Sequence, residues 1–520
     1  MNKNSNFKIL LLDAPENDMG WFNGNVASPA LGYIAAYVKN DFDVKILDLH
    51  VEDHPWLTLK QTLLDFKPDL IGITFVHTCH HSEVNSCLRM IKKISPASIV
   101  AGGGYLFGVL YEKYIKSGLI DIAVIGEGEL TFKYIAATLA ERKKNSTVLS
   151  RYDQPLRESL KQIEGLAMAK IEVGTPLAGF DSNFEVYKSP PRKFIENLDS
   201  IPFPAFELFP MDRYNLPIYG GRETFGAMFS RGCANRCSFC TESAAWNHTV
   251  RRHSPEYAIK YLKLLYEVYG KKTFVFGDTD FLSKREWVKG FIDNLKASGM
   301  KINFFIQACC TSVIKCADLL PELKRLGLFK IMLGAESPFG DVLKLLNKGM
   351  QNRNIILRAM DIVKRNDVLL LIMMIWGTEH DTEESLIQEL KFFSRYADFI
   401  SPGMLTPYPG TSLYERLKDK DLIMVDDLSM YDQLHVIMPA GKMSYLETVT
   451  TYRKNLFLHF NANWKTYRSL FSKNKFLKRI QWFYFQMMWN SFYKDVLAFG
   501  QTNFKKHIIH EKEYDGIMNG

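Results

Sequence analysis

The sequence predicts an α/β protein. An N-terminal doubly wound, Rossmann-like parallel sheet is followed by a partial (β/α)6 barrel of the TIM type and a C-terminal mainly helical domain. Three observations predict it. Over the first 140 residues, apolar runs of five to eight residues alternate with helical stretches of ten to fourteen; the alternation breaks between about 146 and 220, and six further rounds begin near 224. Parallel strands need crossovers of that length, so each alternating region specifies a parallel sheet. With 520 residues, 47% of them hydrophobic, the chain exceeds what one core usually supports.

Element by element, "FKILLLDAP" (7–15), "DVKILDL" (43–49), "DLIGITFV" (69–76), "SIVAGGG" (98–104) and "IDIAVIG" (120–126) read as strands. Helices are expected over 31–40, 56–66, 84–94 and about 108–117, and from about Leu130. Ligands of such sheets bind at the carboxyl ends of the strands. Three of those ends are small or glycine-rich: Thr74, then Gly102, Gly103 and Gly104, then Gly126, Glu127 and Gly128. Glycine there lets the backbone come close to a ligand, although in βα turns it more often only shapes the turn.

The prolines of "IPFPAFELFP" (201–210) forbid helix and central strand, so 146–220 reads as a linker containing strand-like pieces such as "GLAMAKIEV" (165–173). Barrel strands are expected at "FGAMFS", "TFVFGD", "INFFIQA", "KIMLGAE", "LLLIMMIWG" and "FISPGMLTP", with helices between. The domains are thus 1–145, the linker 146–220, 221–420 and 421–520. Residues 451–520 hold twelve Lys or Arg against four Asp or Glu, while the remainder balances at 53 against 53. The basic charge belongs to a tail rich in aromatic residues, "FLKRIQWFYFQMMWNSFYKDVLAF" (476–499). It reads as a lid of aromatic helices or, alternatively, as a peripheral contact with anionic membrane. No nucleic-acid-binding motif accompanies it.

The early apolar run "ILLLDA" is too short for a signal peptide, and "VLLLIMMIW" (368–376) is about half a membrane span. Eight cysteines in so large a chain argue for reduced thiols and a cytoplasmic location. Cys79, Cys87, Cys309, Cys310 and Cys316 are scattered in apolar contexts and read as structural thiols. "HTCHH" (77–81) offers three histidines and a thiol that could bind metal, but reads first as a solvated loop.

The other three cysteines crowd into "SRGCANRCSFC" (230–240). The C-x3-C-x2-C spacing of Cys233, Cys237 and Cys240 suits one small inorganic core. On spacing alone, zinc completed by His248 or His253 stays open. An iron–sulfur cluster held by only three cysteines would leave one iron exchangeable.

The loop resembles the signature of the radical S-adenosylmethionine (SAM) superfamily, down to the aromatic Phe239 before the last cysteine. "GDTDFL" (277–282), "GAES" (334–337), "GTEHDTEES" (377–385, without the usual proline) and "TPYPGTSLYE" (406–415) resemble later barrel motifs of that superfamily. The resemblance implies a [4Fe-4S] cluster on Cys233, Cys237 and Cys240. It also implies SAM held by Phe239, Asp278, Gly334 and Glu336, and cleavage of SAM to a 5′-deoxyadenosyl radical.

"DLIGITF", "IVAGGG" and "DIAVIGEGELTFKYI" resemble the cobalamin (B12)-binding domain that precedes the barrel in one large class of these enzymes. Cobalamin is then expected against Thr74, Gly102, Gly103, Gly104, Gly126, Glu127 and Gly128. The Asp-x-His-x-x-Gly motif that supplies a histidine to cobalt elsewhere is absent; "DLHVED" (48–53) echoes it in the wrong place. The usual "GGPH" is "GGGY", and the third barrel strand ends in Gln-Ala-Cys-Cys where an arginine is common.

The resemblance implies methylation of an unactivated carbon in a small-molecule, lipid or peptide substrate, with flavodoxin or ferredoxin as electron donor. An oxidative cyclase with the same domains is one alternative, and a non-catalytic cluster or zinc-binding module another.

Overall fold

The computed structural model describes residues 4–15, 27–145, 150, 153–170, 185–461, 469–482 and 513–518. The chain divides into two compact units, Met1–Tyr214 together with Ala498–Gly520, and Asn215–Leu497.

In the first unit the strands are β1 (Asn4–Asp13), β2 (Phe42–Asp48), β3 (Leu70–Thr74), β4 (Ile99–Gly103), β5 (Ile122–Val124), β6 (Leu166–Ala169) and β7 (Val186–Lys188). The helices are α1 (Pro29–Val38), α2 (Pro55–Phe66), α3 (His81–Ile94), α4 (Tyr105–Lys116), α5 (Gly128–Lys144) and α6 (Gln154–Lys161). The sheet order is β2-β1-β3-β4-β5-β6-β7, parallel through β5 and antiparallel for the last two. Burial on both faces explains the strands' composition: all five residues of β3 are buried, as a sheet with helices on both sides requires. The order reverses between β1 and β3, so their carboxyl ends, at Asp13 and Thr74, flank the switch point where such sheets hold ligands.

The stretch read as a linker is partly sheet. β6 and β7 fall inside 146–220 and extend the first sheet, because Gly165, at φ +78°, turns the chain back along β5. The proline-punctuated segment is neither long helix nor strand, and the Ala205 amide donates to the Gly32 carbonyl of α1.

Residues 513–518 are helical and return to the first unit. Tyr514 meets Trp56 of α2 edge to face at 5.1 Å, the Leu57 amide donates to Glu513 Oε1 at 2.6 Å, and Ile517 and Met518 pack on the core.

The strands of the second unit are β8 (Thr224–Ala227), β9 (Ser230–Arg231), β10 (Arg251–Arg252), β11 (Thr273–Phe276), β12 (Asn303–Cys309), β13 (Leu328–Glu336), β14 (Leu369–Trp376) and β15 (Phe399–Met404). The helices are α7 (Thr241–Ala245), α8 (Pro255–Tyr269), α9 (Arg285–Ser298), α10 (Cys310–Lys315), α11 (Leu320–Arg325), α12 (Gly340–Leu345), α13 (Arg353–Arg365), α14 (Glu383–Ser394), α15 (Ser412–Lys418) and α16 (Tyr445–Asn461). Six strands, β8-β11-β12-β13-β14-β15, are all parallel and curl into a partial barrel. Alternate residues along them are fully buried, as in Phe274, Phe276, Phe304 and Ile306, while Gly226, Val275, Gln307, Met332, Met373 and Ser401 stay partly open. The barrel therefore has a closed face under its helices and a less filled inner face.

The inner face is plugged at one end. Phe476 stacks on Phe329 at 4.0 Å and shares a cluster with Phe305, Leu369, Leu371 and Ile480. Lys330 sits there, its Nζ 4.1 Å from the Phe305 ring and bonded to the Tyr219 hydroxyl; burial pushes its ammonium down to about 7.

Helix α16 and the turn at 475–482 bear out helical character beyond the barrel, whereas 483–512, the heart of the basic aromatic tail, lies outside the described residues. Among the described residues no helix is long and apolar enough to cross a membrane.

Tyr514→Ala is expected to lower the stability of the first unit by roughly 1–2 kcal/mol, through lost ring contact and burial. Hydrogen exchange resolved by unit should show faster opening in α2 and α3 and no change in the barrel strands.

Candidate functional site

The cysteine loop is built from its base. β9 and β10 pair antiparallel, Arg251 with Arg231 and Arg252 with Ser230, and so close the chain from 232 to 250 into a loop. Gly232 begins it at φ +90°; a Cβ there would lie 2.1 Å from the Thr249 carbonyl oxygen, so only glycine fits. Asp278, wholly buried, accepts from the Phe229 amide at 3.2 Å and from the Ser230 hydroxyl. Asp278 therefore supports the loop's base. Arg252, beside it at 3.8 Å, donates to the Asp280 carbonyl at 2.5 Å and the Ser283 hydroxyl at 2.7 Å, and lies over Trp287.

Farther along, the Ser238 amide donates to the Leu346 carbonyl at 3.0 Å, and the Leu413 amide donates to the Ser238 carbonyl at 2.9 Å. The loop is thus tied to the ends of α12 and α15. Phe239 packs against the cluster of Val342, Leu346, Leu405 and Leu413. Cys233 is buried and Cys237 and Cys240 are half-buried, and burial pushes the Cys237 thiol up to about 12 and raises the other two. Such thiols stay protonated until a cation draws the proton off. Among the described residues no three Cys, His, Asp or Glu side chains gather as the ligands of one ion would. The two histidines considered for zinc are engaged elsewhere, His248 Nδ1 with Ser243 Oγ at 2.8 Å and His253 stacked on Tyr257 at 3.8 Å.

Gly334 and Glu336 end β13, and Gly334 is in register with Cys309 at the end of β12. Glu336 sits at φ +60°, a conformation that costs a non-glycine residue about 1 kcal/mol or more. Its carboxylate pairs with Lys348, both side chains more than nine-tenths buried. Lys348 Nζ also donates to the Gly334 carbonyl at 3.4 Å, and Gln351 Nε2 donates to the same oxygen at 3.3 Å. Burial opposes the Lys348 charge, but Glu336 and the nearby Cys237 and Cys309 outweigh it and raise its pKa. Gln351 is 8% exposed, and its Oε1 has no hydrogen-bond partner. A buried unpaired acceptor beside a buried ion pair calls for a ligand that donates.

Lys348 and Gln351 were invisible to motif reading, since they stand twelve and fifteen residues beyond Glu336 in a loop with no signature. The serine of "GAES" turns away: Ser337 Oγ donates to the buried Glu389. In "GTEHDTEES" Asp381 Oδ2 accepts from the Gly377 and Thr378 amides at 3.1 and 2.8 Å, closing the turn without the proline.

In the first unit, the seven residues expected to meet cobalamin divide by what they touch. Thr74 is buried with its Oγ1 unpartnered, and a Cβ at Gly103 or Gly126 would meet nothing within 4 Å among the described residues. These three fit a flat ligand laid on the strand ends. The others have internal reasons. A Cβ at Gly102 would lie 2.9 Å from the Phe107 ring, one at Gly104 2.8 Å from the Phe75 carbonyl oxygen, and one at Gly128 3.2 Å from Ile34. Glu127 Oε2 accepts from the Ile195 amide at 2.6 Å.

The "HTCHH" segment is not the solvated loop expected, since Thr78 and His80 are buried. The His80 ring lies 5.2 Å from that of His50 and 6.0 Å from that of His77, and burial among them pushes it down to about 4, so it is a neutral imidazole. His50 Nε2 stands 3.6 Å from Asp13 Oδ1. Asp48, also buried, accepts from the His50 amide at 3.1 Å and the Tyr214 hydroxyl at 2.7 Å. Burial and the neighbouring Asp13 push its carboxyl up to about 6.

A doubly wound ligand-binding sheet and a partial barrel whose cysteine loop follows its first strand define a class of two-unit cofactor proteins. Residues 228–393 match the Radical SAM superfamily model and residues 21–136 match that of the B12 binding domain. The chain is a radical SAM enzyme with an N-terminal B12-binding domain, and its cofactors are SAM, a [4Fe-4S] cluster and cobalamin.

It is 28% identical over 436 residues to an uncharacterized methyltransferase of Pyrococcus horikoshii, covering 83% of this chain and 87% of that protein. It is 24% identical over 462 residues to the anaerobic magnesium-protoporphyrin IX monomethyl ester cyclase of Rubrivivax gelatinosus, covering 88% and 75%. Its fold resembles that of the cobalamin-dependent SAM radical enzyme OxsB with aqua-cobalamin and SAM bound, with TM-score 0.69, 15% identity and coverage of 92% and 71%. It also resembles the radical SAM methyltransferase TsrM of Kitasatospora setae, with TM-score 0.59, 16% identity and coverage of 79% and 75%.

The pH dependence of Asp48 has a definite sign. Its folded value of about 6 lies above the ordinary 3.8, so its contribution to stability is complete below about pH 4 and is lost as pH rises through 6. Asp48→Asn should therefore match the wild type near pH 4 and exceed it above pH 6 by on the order of 2 kcal/mol in denaturant titrations.

Proposed function

We propose that the protein is a cobalamin-dependent radical SAM C-methyltransferase acting on an unactivated carbon of a small molecule, lipid or peptide. One observation carries this reading: a B12-binding domain and a cysteine-looped barrel stand on one chain. The methyltransferase name of the P. horikoshii relative, similar over most of both chains, supports it.

When bound, the cluster and SAM supply a 5′-deoxyadenosyl radical, and cobalamin supplies a carrier for the methyl group. The chain's part is to bind, orient and keep water out. Cys233, Cys237 and Cys240 would hold the cluster and leave one iron exchangeable for SAM. Glu336 and Lys348 flank the methionine group, Lys348 toward its carboxylate, while Glu336 and Gln351 Oε1 accept from its amino N–H. Phe239 lies against the SAM nucleoside, and Gly334 gives it room. Thr74, Gly103 and Gly126 line the cobalamin face. The substrate rests on the inner wall beyond the plug, against Met373, with Gln307 and Ser401 as its polar contacts. Electrons come from a one-electron donor such as flavodoxin or ferredoxin, and cysteines joined in no disulfide suit the cytoplasm. Contact of the basic tail with a membrane surface is a secondary proposal.

The cyclase of R. gelatinosus, similar over most of this chain, favours a second reading: oxidative cyclisation without methyl transfer. Anaerobic single turnover with methyl-labelled SAM separates the two. Methylation predicts label in the product alongside deoxyadenosine, whereas deoxyadenosine with no labelled product would leave the cyclase. Cys233→Ala, Cys237→Ala and Cys240→Ala should each abolish deoxyadenosine formation and leave cobalamin binding to the first unit intact; a variant that still cleaves SAM would defeat the assignment.

A further inference from the structure

A fourth cysteine stands at the site, on a strand end where the superfamily resemblance left an arginine unaccounted for. Cys309 is the last residue of β12, in register with Gly334, which places it beside Glu336, Lys348 and Gln351. Its thiol is half-buried. Asn235, inside the cysteine loop, reaches Cys309 Sγ at 3.3 Å and Cys233 Sγ at 3.5 Å with the same Nδ2, so one donor nitrogen spans a loop cysteine and the strand-end cysteine. The Cys309 amide donates to Asp280 Oδ1 at 3.3 Å, which fixes the strand end. Its neighbours differ: Cys310 is fully buried, 3.9 Å from the Gly334 carbonyl oxygen, and Cys316 is fully buried against the Leu282 carbonyl. Gln351, whose buried Oε1 is unpaired, holds the carbonyl of Gly334, the residue in register with Cys309, so an unfilled ligand position adjoins this strand end.

We infer that Cys309 is a displaceable fourth ligand of the cluster: its thiolate binds the iron left open by Cys233, Cys237 and Cys240 while SAM is away, and yields it when SAM arrives. The inference rests on the cluster reading above. Thiolate is the soft ligand that iron in such a cluster prefers, and an iron without a fourth protein ligand is the one most easily lost. No electron moves in the exchange. One iron–sulfur bond breaks, the ammonium of SAM gives up a proton as its amino nitrogen and a carboxylate oxygen bond to the iron, and the released thiolate takes up a proton, so the exchange balances. The site then stores its cluster capped and opens it only for the co-substrate.

The test uses the full chain reconstituted anaerobically with iron and sulfide, as wild type, Cys309→Ala, Cys309→Ser and the neighbouring control Cys310→Ala. Iron loss is followed by ferricyanide oxidation and the electron paramagnetic resonance signal of a three-iron cluster, and SAM affinity by equilibrium dialysis. Without SAM, Cys309→Ala should lose the fourth iron several-fold faster than wild type and Cys310→Ala, and should bind SAM several-fold more tightly because no internal ligand competes. Cys309→Ser should fall between, and saturating SAM should bring all four to the same rate. Equal iron loss and equal SAM affinity in wild type and Cys309→Ala would overturn the inference while leaving the three-cysteine site intact. A Cys309→Ala chain that assembles no cluster would also overturn it, since the ligand would then be permanent. Full cluster assembly by Cys233→Ala would instead defeat the three-cysteine reading.

Discussion

The course of the cysteine loop depends on one buried carboxylate. Asp278 has no exposure and sits at the exit of β11, yet its bonds run to Phe229 and Ser230 at the exit of β8. A charge in that position is costly unless its partners are fixed, and here they are backbone, hydroxyl and the Arg252 guanidinium. The carboxylate therefore sets the direction in which the chain leaves the first strand. The β9–β10 ladder, the left-handed Gly232 and the ties to Leu346 and Leu413 then leave the cysteines little freedom.

The pair of Glu336 and Lys348 follows a different physical rule. Two opposite charges removed from water gain less than their attraction suggests, because both have lost their hydration. A methionine group entering between them, with a carboxylate for Lys348 and an amino N–H for Glu336, would replace one internal contact by two external ones. The positive φ of Glu336 and the lone Oε1 of Gln351 belong to the same arrangement, since strain and unpaired polarity persist where a ligand relieves them.

Much of the fold was legible because strand and helix lengths alternate with little interruption. Runs such as "DLIGITFV" have one physical solution, a strand covered on both faces. β6 and β7 were not legible as parts of the sheet, since an antiparallel edge strand needs no crossover and so leaves no length signal. At the site, motif matching named strand-end residues but not which way their side chains face. It could not tell that Asp278 points into the protein, that Ser337 turns to Glu389, or that four of the seven residues expected at cobalamin have packing reasons of their own. Lys348 and Gln351 come near Gly334 only through the fold, and "HTCHH" looked solvated because a cluster of polar letters hides the burial of Thr78 and His80.

The helical turn at 513–518, packed on α2, has a consequence for biosynthesis. The first unit is assembled from two pieces of chain separated by the whole of the second. On the ribosome its parallel sheet can form early, but Trp56 and the surface around it wait for Tyr514 until the barrel has been made. The order of synthesis and the order of completion are therefore inverted: the unit that begins first is sealed last.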